Sequence, residues 1–176
     1  VADKLCEVVR ANNHFLDFGL LGSKSVPAML TRYGYVEDAM KMITKTEAPS
    51  WGYWVETMGY TTLPETWTLS PQFRDASLNH VFMGDVSAWM MNQLAGINYD
   101  AAGPGFRHIL ITPHFVEGMD WAKGEYHSVR GLISSQWKRE GGKVTLTVTI
   151  PSGCTADIRV GDKTETVGSG TYVNTY

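Results

Sequence analysis

Residues 20–47 read LLGSKSVPAMLTRYGYVEDAMKMITKTE, and this stretch decides the fold of the first half of the chain. A helix is expected from the Gly19-Leu20-Leu21-Gly22-Ser23 start to Tyr33. Ser23 or Ser25 would cap it, and Pro27 would sit near its first turn, where a missing N–H is harmless. Gly34 supplies a left-handed residue to stop it. Val36, Ala39, Met40 and Ile43 then recur at i, i+3, i+4 and i+7, the apolar stripe of a second helix over 35–47. A one-glycine turn between two helices predicts an antiparallel αα-hairpin, closed by Pro49.

Working outward, Leu5, Val8 and Val9 carry helical spacing in a short opening segment. Residues 50–76 show no period and form a long irregular stretch, with a small hairpin expected across Met58-Gly59 and Val55-Glu56 strand-like. Loops of that length in a compact domain are functional or disordered, and the aromatic content here argues against disorder. From Ser77 to Ala95 a long helix is expected, with Leu78, Val81, Phe82, Val86, Trp89, Met90 and Leu94 inward and Gly96 at its end.

After Gly96 the period moves towards two. Strands are expected at Phe106–Thr112, Gly118–His127, Leu132–Arg139, Lys143–Ile150 and Thr155–Val160. The alternation in Val144-Thr145-Leu146-Thr147-Val148-Thr149-Ile150 is the clearest. Glu140-Gly141-Gly142-Lys143 and Gly161-Asp162-Lys163 read as hairpin turns, and Gly103-Pro104-Gly105 as a linker turn. The fold class is therefore α+β: N-terminal helical hairpins over 1–97, then an antiparallel β-sandwich over 98–176.

The totals narrow the function. At 176 residues and 43% hydrophobic content the chain can bury one sizeable core or two small ones. A formal net charge of -3 gives no electrostatic case for nucleic acid or an anionic membrane. No apolar run approaches the ~20 residues of a membrane span, and no signal-peptide pattern opens the chain. Cys6 and Cys154 form no metal or redox spacing and are expected as unpaired thiols in or near cores. His108, His114 and His127 suit no zinc site, and Asp17, Asp75 and Asp85 read as caps or surface groups. Met40, Met42, Met90 and Met91 are helix filling.

The chemistry concentrates between Trp51 and Trp89. That stretch strings together Trp51-Gly52-Tyr53-Trp54, Thr61-Thr62-Leu63-Pro64-Glu65-Thr66-Trp67 and Ser77-Leu78-Asn79-His80. Aromatic platforms around a carboxylate suit a sugar site: ring faces stack on the sugar's C–H face, and the carboxylate handles hydroxyls or water. Trp51, Trp54 and Trp67 are the candidate platforms, and core packing competes with that role for each. Glu65 is the candidate catalytic carboxylate, Glu56 its rival, and a solvated loop glutamate the alternative.

These residues resemble the bacterial α-L-rhamnosidases, an inverting glycoside hydrolase family. The likeness rests on Gly19-Leu20-Leu21-Gly22, Pro49-Ser50-Trp51-Gly52-Tyr53, Thr61-Thr62-Leu63-Pro64-Glu65-Thr66-Trp67 and Ser77-Leu78-Asn79-His80 running into Gly84 and Trp89. It continues through Ala95-Gly96-Ile97 and Ile111-Thr112-Pro113. The resemblance implies a catalytic toroid of six helical hairpins, of which this chain holds the last third, followed by a β-sandwich. It makes Glu65 the general base and His80 a sugar-contacting residue, and puts the general acid upstream of this chain. Pro64 stands where the family commonly has tryptophan, which bears on one wall of the sugar pocket. No metal or organic cofactor is implied, since two carboxylates suffice. The partners implied are a rhamnose-containing glycan or glycoside and a preceding part of the same polypeptide, with no nucleic acid and no membrane. The abrupt helical start at Val1 fits such a truncation, and helix faces left without their neighbours are expected to be apolar and exposed.

Two other readings stand beside it. A non-catalytic carbohydrate-binding or structural module would use sandwich aromatics such as Trp121, Tyr126 or Trp137. Another six-hairpin glycosidase would act on a different sugar, which fold alone does not exclude.

Overall fold

The computed structural model describes residues 1–67 and 76–176; Asp75, expected as a cap or surface group, lies outside the described residues. The chain is α+β, with helices first and sheets after, and it parts into two compact units, Val1–Trp89 and Met90–Tyr176.

In the first unit, α1 spans Ala2–Ala11, α2 Leu20–Arg32 and α3 Val36–Thr44. α1 buries Cys6 and Val9, with Asp3 in its first turn and Arg10 in its last, each matching the sign of the helix dipole. Gly34, at φ 90°, makes the tight link from α2 to α3, and Tyr35 N–H donates back to Leu30 O at 2.8 Å. The hairpin is therefore as expected, and α2 starts within the expected Gly19–Ser23 segment, but neither serine caps it. Its N-cap is Gly19. Ser23 and Ser25 are inside the helix, their hydroxyls donating to Leu20 O and Leu21 O. Pro27 sits mid-helix and buried, and Thr31 Oγ1 donates to its carbonyl at 2.9 Å. The three helices bury Leu30, Ala39, Met42 and Ile43 between them.

Asp38 ties α3 to α1. Only 6% exposed at its side chain, it takes a bidentate pair from Arg10, Nε to Oδ1 and Nη2 to Oδ2, both 2.8 Å. His14 Nε2 meets Oδ1 at 2.9 Å from a left-handed backbone, φ 60°. Arg10, then His14, hold the Asp38 carboxyl well below the usual carboxylate range. Burial, with Asp38 beside it, pushes the Cys6 thiol up.

Two expectations fail in the irregular stretch. Residues 53–57 form a π-helical turn, Tyr53–Thr57, so there is neither a hairpin across Met58-Gly59 nor a strand at Val55-Glu56. The helix expected over Ser77–Ala95 is shorter: it starts only at Asp85, with α4 over Asp85–Trp89 and a π-helical turn over Met90–Leu94 directly after it in the chain. The apolar residues at helical spacing before it, Leu78 and Val81, are 59% and 82% exposed. Polar side chains here bond their own backbone instead. Asn79 N–H donates to Ser77 Oγ and Phe82 N–H to His80 Nδ1, followed by three-residue turns at Met83, Gly84 and Asp85. Such local bonds compete with helix formation. α4 packs on α2, with Trp89 Nε1 donating to the buried Thr31 hydroxyl.

The second unit opens with a π-helical turn, Met90–Leu94, then eight strands: β1 Ile97–Tyr99, β2 His108–Ile111, β3 Trp121–Ser128, β4 Gly131–Glu140, β5 Lys143–Ile150, β6 Thr155–Val160, β7 Lys163–Val167 and β8 Gly170–Thr175. They form two four-stranded sheets, ordered β1-β2-β6-β7 and β3-β4-β5-β8. β5 buries Val144, Leu146, Val148 and Ile150 while its threonines turn outward, the period-two pattern of a sheet with one buried face. Every pairing is antiparallel except β2 with β6, which is parallel. The chain reaches β6 from β2 only after building β3, β4 and β5 of the other sheet, the kind of crossover a parallel pair requires. β1, β7 and β8 had no strand signal: β1 has three residues, and β7 and β8 are exposed over most of their length.

Gly96, at φ 79°, is demanded by its neighbours. A Cβ there would lie 2.2 Å from Pro113 N, and Gly96 O accepts Thr112 N–H at 2.8 Å. Cys6 and Cys154 are free and buried, each in its own unit. Among the described residues, no helix is long and apolar enough to cross a membrane.

Candidate active site

The aromatic segment is assembled against the end of α3. Ser50 is fully buried; its hydroxyl donates to Lys45 O and accepts Tyr53 N–H, which starts the π-helical turn. Gly52 must lack a side chain, because a Cβ would come within 2.5 Å of Lys45 O and 2.8 Å of Thr44 O. This turn carries Trp54 inward, 1% exposed, beside Trp51 at 3%. Trp51 Nε1 donates to Met83 O at 3.0 Å, so the buried indole N–H is satisfied.

Trp67 closes the cluster. It stacks on Trp54 with centroids 4.6 Å apart and planes at 23°, and meets Trp51 edge-on at 5.0 Å. Phe18 contacts it edge-on at 6.3 Å, and Trp67 Nε1 donates to Phe18 O at 2.6 Å. Three rings and a hydrogen bond thus fix one indole. Trp67 is half-buried and lines a cleft of about 610 Å³ with Gly19, Leu20, Leu21, Gly22, Glu65, Thr66 and Met83. Of the three candidate platforms, Trp67 alone lines this cleft; Trp51 and Trp54 lie beneath it in the core.

Glu65 and His80 come from segments laid side by side. Thr62 Oγ1 donates to Leu78 O at 2.7 Å, and His80 N–H donates to Leu63 O at 2.8 Å. Glu65 N–H donates to Ser77 O at 2.8 Å, and Ser77 N–H returns a bond to Glu65 Oε2 at 3.0 Å. The Thr-Thr-Leu-Pro-Glu and Ser-Leu-Asn-His motifs, separate in sequence, become one bracket. Glu65 is half-buried, neither solvated freely nor sunk in the core. His80 Nδ1 accepts Phe82 N–H at 3.4 Å, which leaves the proton of a neutral ring on Nε2.

The remaining candidates fall elsewhere. Glu56 is exposed on the π-helical turn. Asp17 is exposed, and Asp85 opens α4 with Lys24 Nζ at 3.7 Å. In the second unit, His108 joins Thr155 and Asp157, and His114 Nδ1 meets Gln93 O; His127 is exposed on β3. Among the described residues no group of three or more His, Cys, Asp or Glu is arranged to hold a metal. Trp137 is fully buried with Nε1 on Leu94 O, while Trp121 is 61% and Tyr126 44% exposed. An odd separation puts those two on opposite faces of β3.

Sequence reasoning did not single out Met83 as a wall of the cleft, nor Ser77 and Thr62 as holders of the Glu65 loop. Met83 carries no signal of its own. The two hydroxyl residues stood in quoted motifs, but only the pairing of those motifs reveals their work.

Residues 1–94 match the family model of the bacterial alpha-L-rhamnosidase 6 hairpin glycosidase domain, and residues 96–173 that of the bacterial alpha-L-rhamnosidase C-terminal domain. An alpha-L-rhamnosidase of Streptomyces avermitilis is 31% identical over 163 residues, covering 89% of this chain and 16% of that protein. The crystal structure of the Streptomyces avermitilis enzyme complexed with L-rhamnose aligns with a TM-score of 0.88 at 27% identity, covering 99% of this chain and 19% of that one. The native Aspergillus terreus α-L-rhamnosidase aligns with a TM-score of 0.91 at 26% identity, covering 99% and 21%. The chain thus spans 16% to 17% of the length of the curated relatives it matches.

Proposed function

The chain belongs to the bacterial α-L-rhamnosidase family, and from that premise we propose that it is the C-terminal part of a longer inverting glycoside hydrolase. That enzyme releases terminal α-L-rhamnose, and Glu65 is its general base. The observation that carries this is the placement of Glu65: a half-buried carboxylate lining a cleft of about 610 Å³ beside an immobilised indole. The name of the rhamnose-bound relative supports the choice of sugar.

In an inverting displacement, one carboxylic acid protonates the glycosidic oxygen as the C1–O bond breaks. A second carboxylate takes a proton from the water that attacks C1 from the opposite face. Glu65 serves as the second. Its Oε2 is held by the Ser77 amide, and Oε1 takes the water proton. Trp67 offers the apolar wall, with Trp51 and Trp54 fixing it from below. His80 uses Nδ1 locally, which assigns Nε2 to the sugar hydroxyls. The acid comes from the preceding part of the same polypeptide. Two carboxylates perform both proton transfers, so the reaction calls for no cofactor.

The functional division is a toroid portion over 1–97 and a sandwich over 98–176. Two compact units parting at Trp89 and Met90, and family matches to 1–94 and 96–173, support a division in this region a few residues earlier. A carbohydrate-binding sandwich finds less support, since Trp137 is buried and Trp121 and Tyr126 share no face.

The test follows an aryl α-L-rhamnoside by proton NMR. The full-length polypeptide should release β-L-rhamnose first, and the 176-residue chain alone should give no turnover. Release of the α anomer first, or robust turnover by the isolated chain, would refute the proposal.

A further inference from the structure

We infer that Thr62 is a positioning residue for the hydrolytic reaction: its hydroxyl clamps the Ser77–His80 segment against Thr62–Glu65 and so sets Glu65 and His80 in register. The inference rests on the reading of Glu65 as base.

Four hydrogen bonds join the two segments. Two are backbone to backbone, and a third uses Glu65's own carboxylate. The bond from Thr62 Oγ1 to Leu78 O, at 2.7 Å, is the one supplied by a side chain that does not itself face the chemistry. Pro64 has no N–H to give, so the bracket is interrupted between Leu63 and Glu65. The Thr62 bond lies on one side of that gap and the Glu65–Ser77 pair on the other. Losing the clamp lets the Ser77 segment slide, and Ser77 N–H is what holds Glu65 Oε2.

The bond contributes little to the fold. Thr62 is exposed and Leu78 is 59% exposed, so water replaces either partner at small cost. A clamp that hardly stabilises yet fixes two catalytic groups should appear in turnover and not in melting. Small misplacements of reacting groups slow chemistry steeply.

The test uses Thr62→Val, which keeps the shape and removes the donor, and Thr62→Ser, which keeps the donor. Thr57→Val is the control, because Thr57 Oγ1 makes a matching exposed bond to Thr46 O at 2.7 Å in the same unit. In the full-length enzyme, Thr62→Val should lower kcat about tenfold with KM within about twofold. Thr62→Ser should recover kcat to within about threefold of the parent, and Thr57→Val should match it. In the isolated chain, Thr62→Val should raise amide hydrogen exchange at Ser77 and His80 about tenfold while the melting temperature holds. Unchanged kcat or unchanged exchange in Thr62→Val would overturn the clamp, as would an equal loss in Thr62→Ser or Thr57→Val. Glu65→Gln is run alongside. If it is inactive and Thr62→Val is normal, the clamp alone fails; if Glu65→Gln is active, the base reading beneath it fails.

Discussion

In the second unit, β5 sends Val144, Leu146, Val148 and Ile150 into the core and its threonines outward, and the sheet follows from that alternation. In the first unit, residues 50–67 obey no period, yet they hold Trp51, Trp54, Glu65 and Trp67 in one cluster. A periodic strand is specified by hydrophobic burial repeated at every second residue. The aromatic loop is specified by single events: a glycine against a carbonyl, a buried serine, an indole N–H on a backbone oxygen. Order of the second kind can place unlike groups at arbitrary angles, which is what a site requires.

That difference can be broken from either side. The largest effect is expected at Gly96 in the second unit. Gly96→Ala puts a Cβ 2.2 Å from Pro113 N at φ 79°, and should destabilise that unit by about 4 kcal/mol. Two-transition calorimetry of the chain should show the sheet transition fall while the helical one stays.

Asp38→Asn is the next largest, and it acts on the helical unit. Asp38 is buried but Arg10 is 58% exposed, so water takes up part of the lost pairing and the loss at neutral pH should be smaller than for a fully buried pair. Because Arg10 and His14 depress the folded-state carboxyl, the unfolded chain binds the proton more readily. The stabilisation is therefore complete above the unfolded value near ~4 and is lost as pH falls towards the folded one. The gap between parent and Asp38→Asn should shrink steadily below about pH 4 in acid-unfolding curves followed by tryptophan fluorescence. A gap that stays constant down to acid would remove the ion pair from the account. Asp157 in the sandwich, depressed chiefly by Arg159 and then Thr166, should respond in the same direction.

How much was legible follows the same division. The αα-hairpin around Gly34 and the strands β3 to β6 were readable because burial imposes a period on them. The first part of the helix expected over Ser77–Ala95 was not, because Leu78, Val81 and Phe82 have helical spacing for reasons other than burial: all three are exposed. Ser77 and His80 spend their side chains on the local backbone, and the helix starts only at Asp85. Strands β7 and β8 were silent because exposed strands carry little alternation. At the site, the residue types were legible and their grouping was not. That Trp67 lines the cleft while Trp51 and Trp54 support it depends on packing that no spacing rule encodes.

The central claim is that the aperiodic loop carries the base. Its most direct test is kcat of Glu65→Gln in the full-length enzyme at saturating aryl rhamnoside, with circular dichroism to establish that the fold is retained. The account predicts kcat lower by about a thousandfold with the spectrum unchanged. A folded variant with kcat within about tenfold of the parent would contradict it.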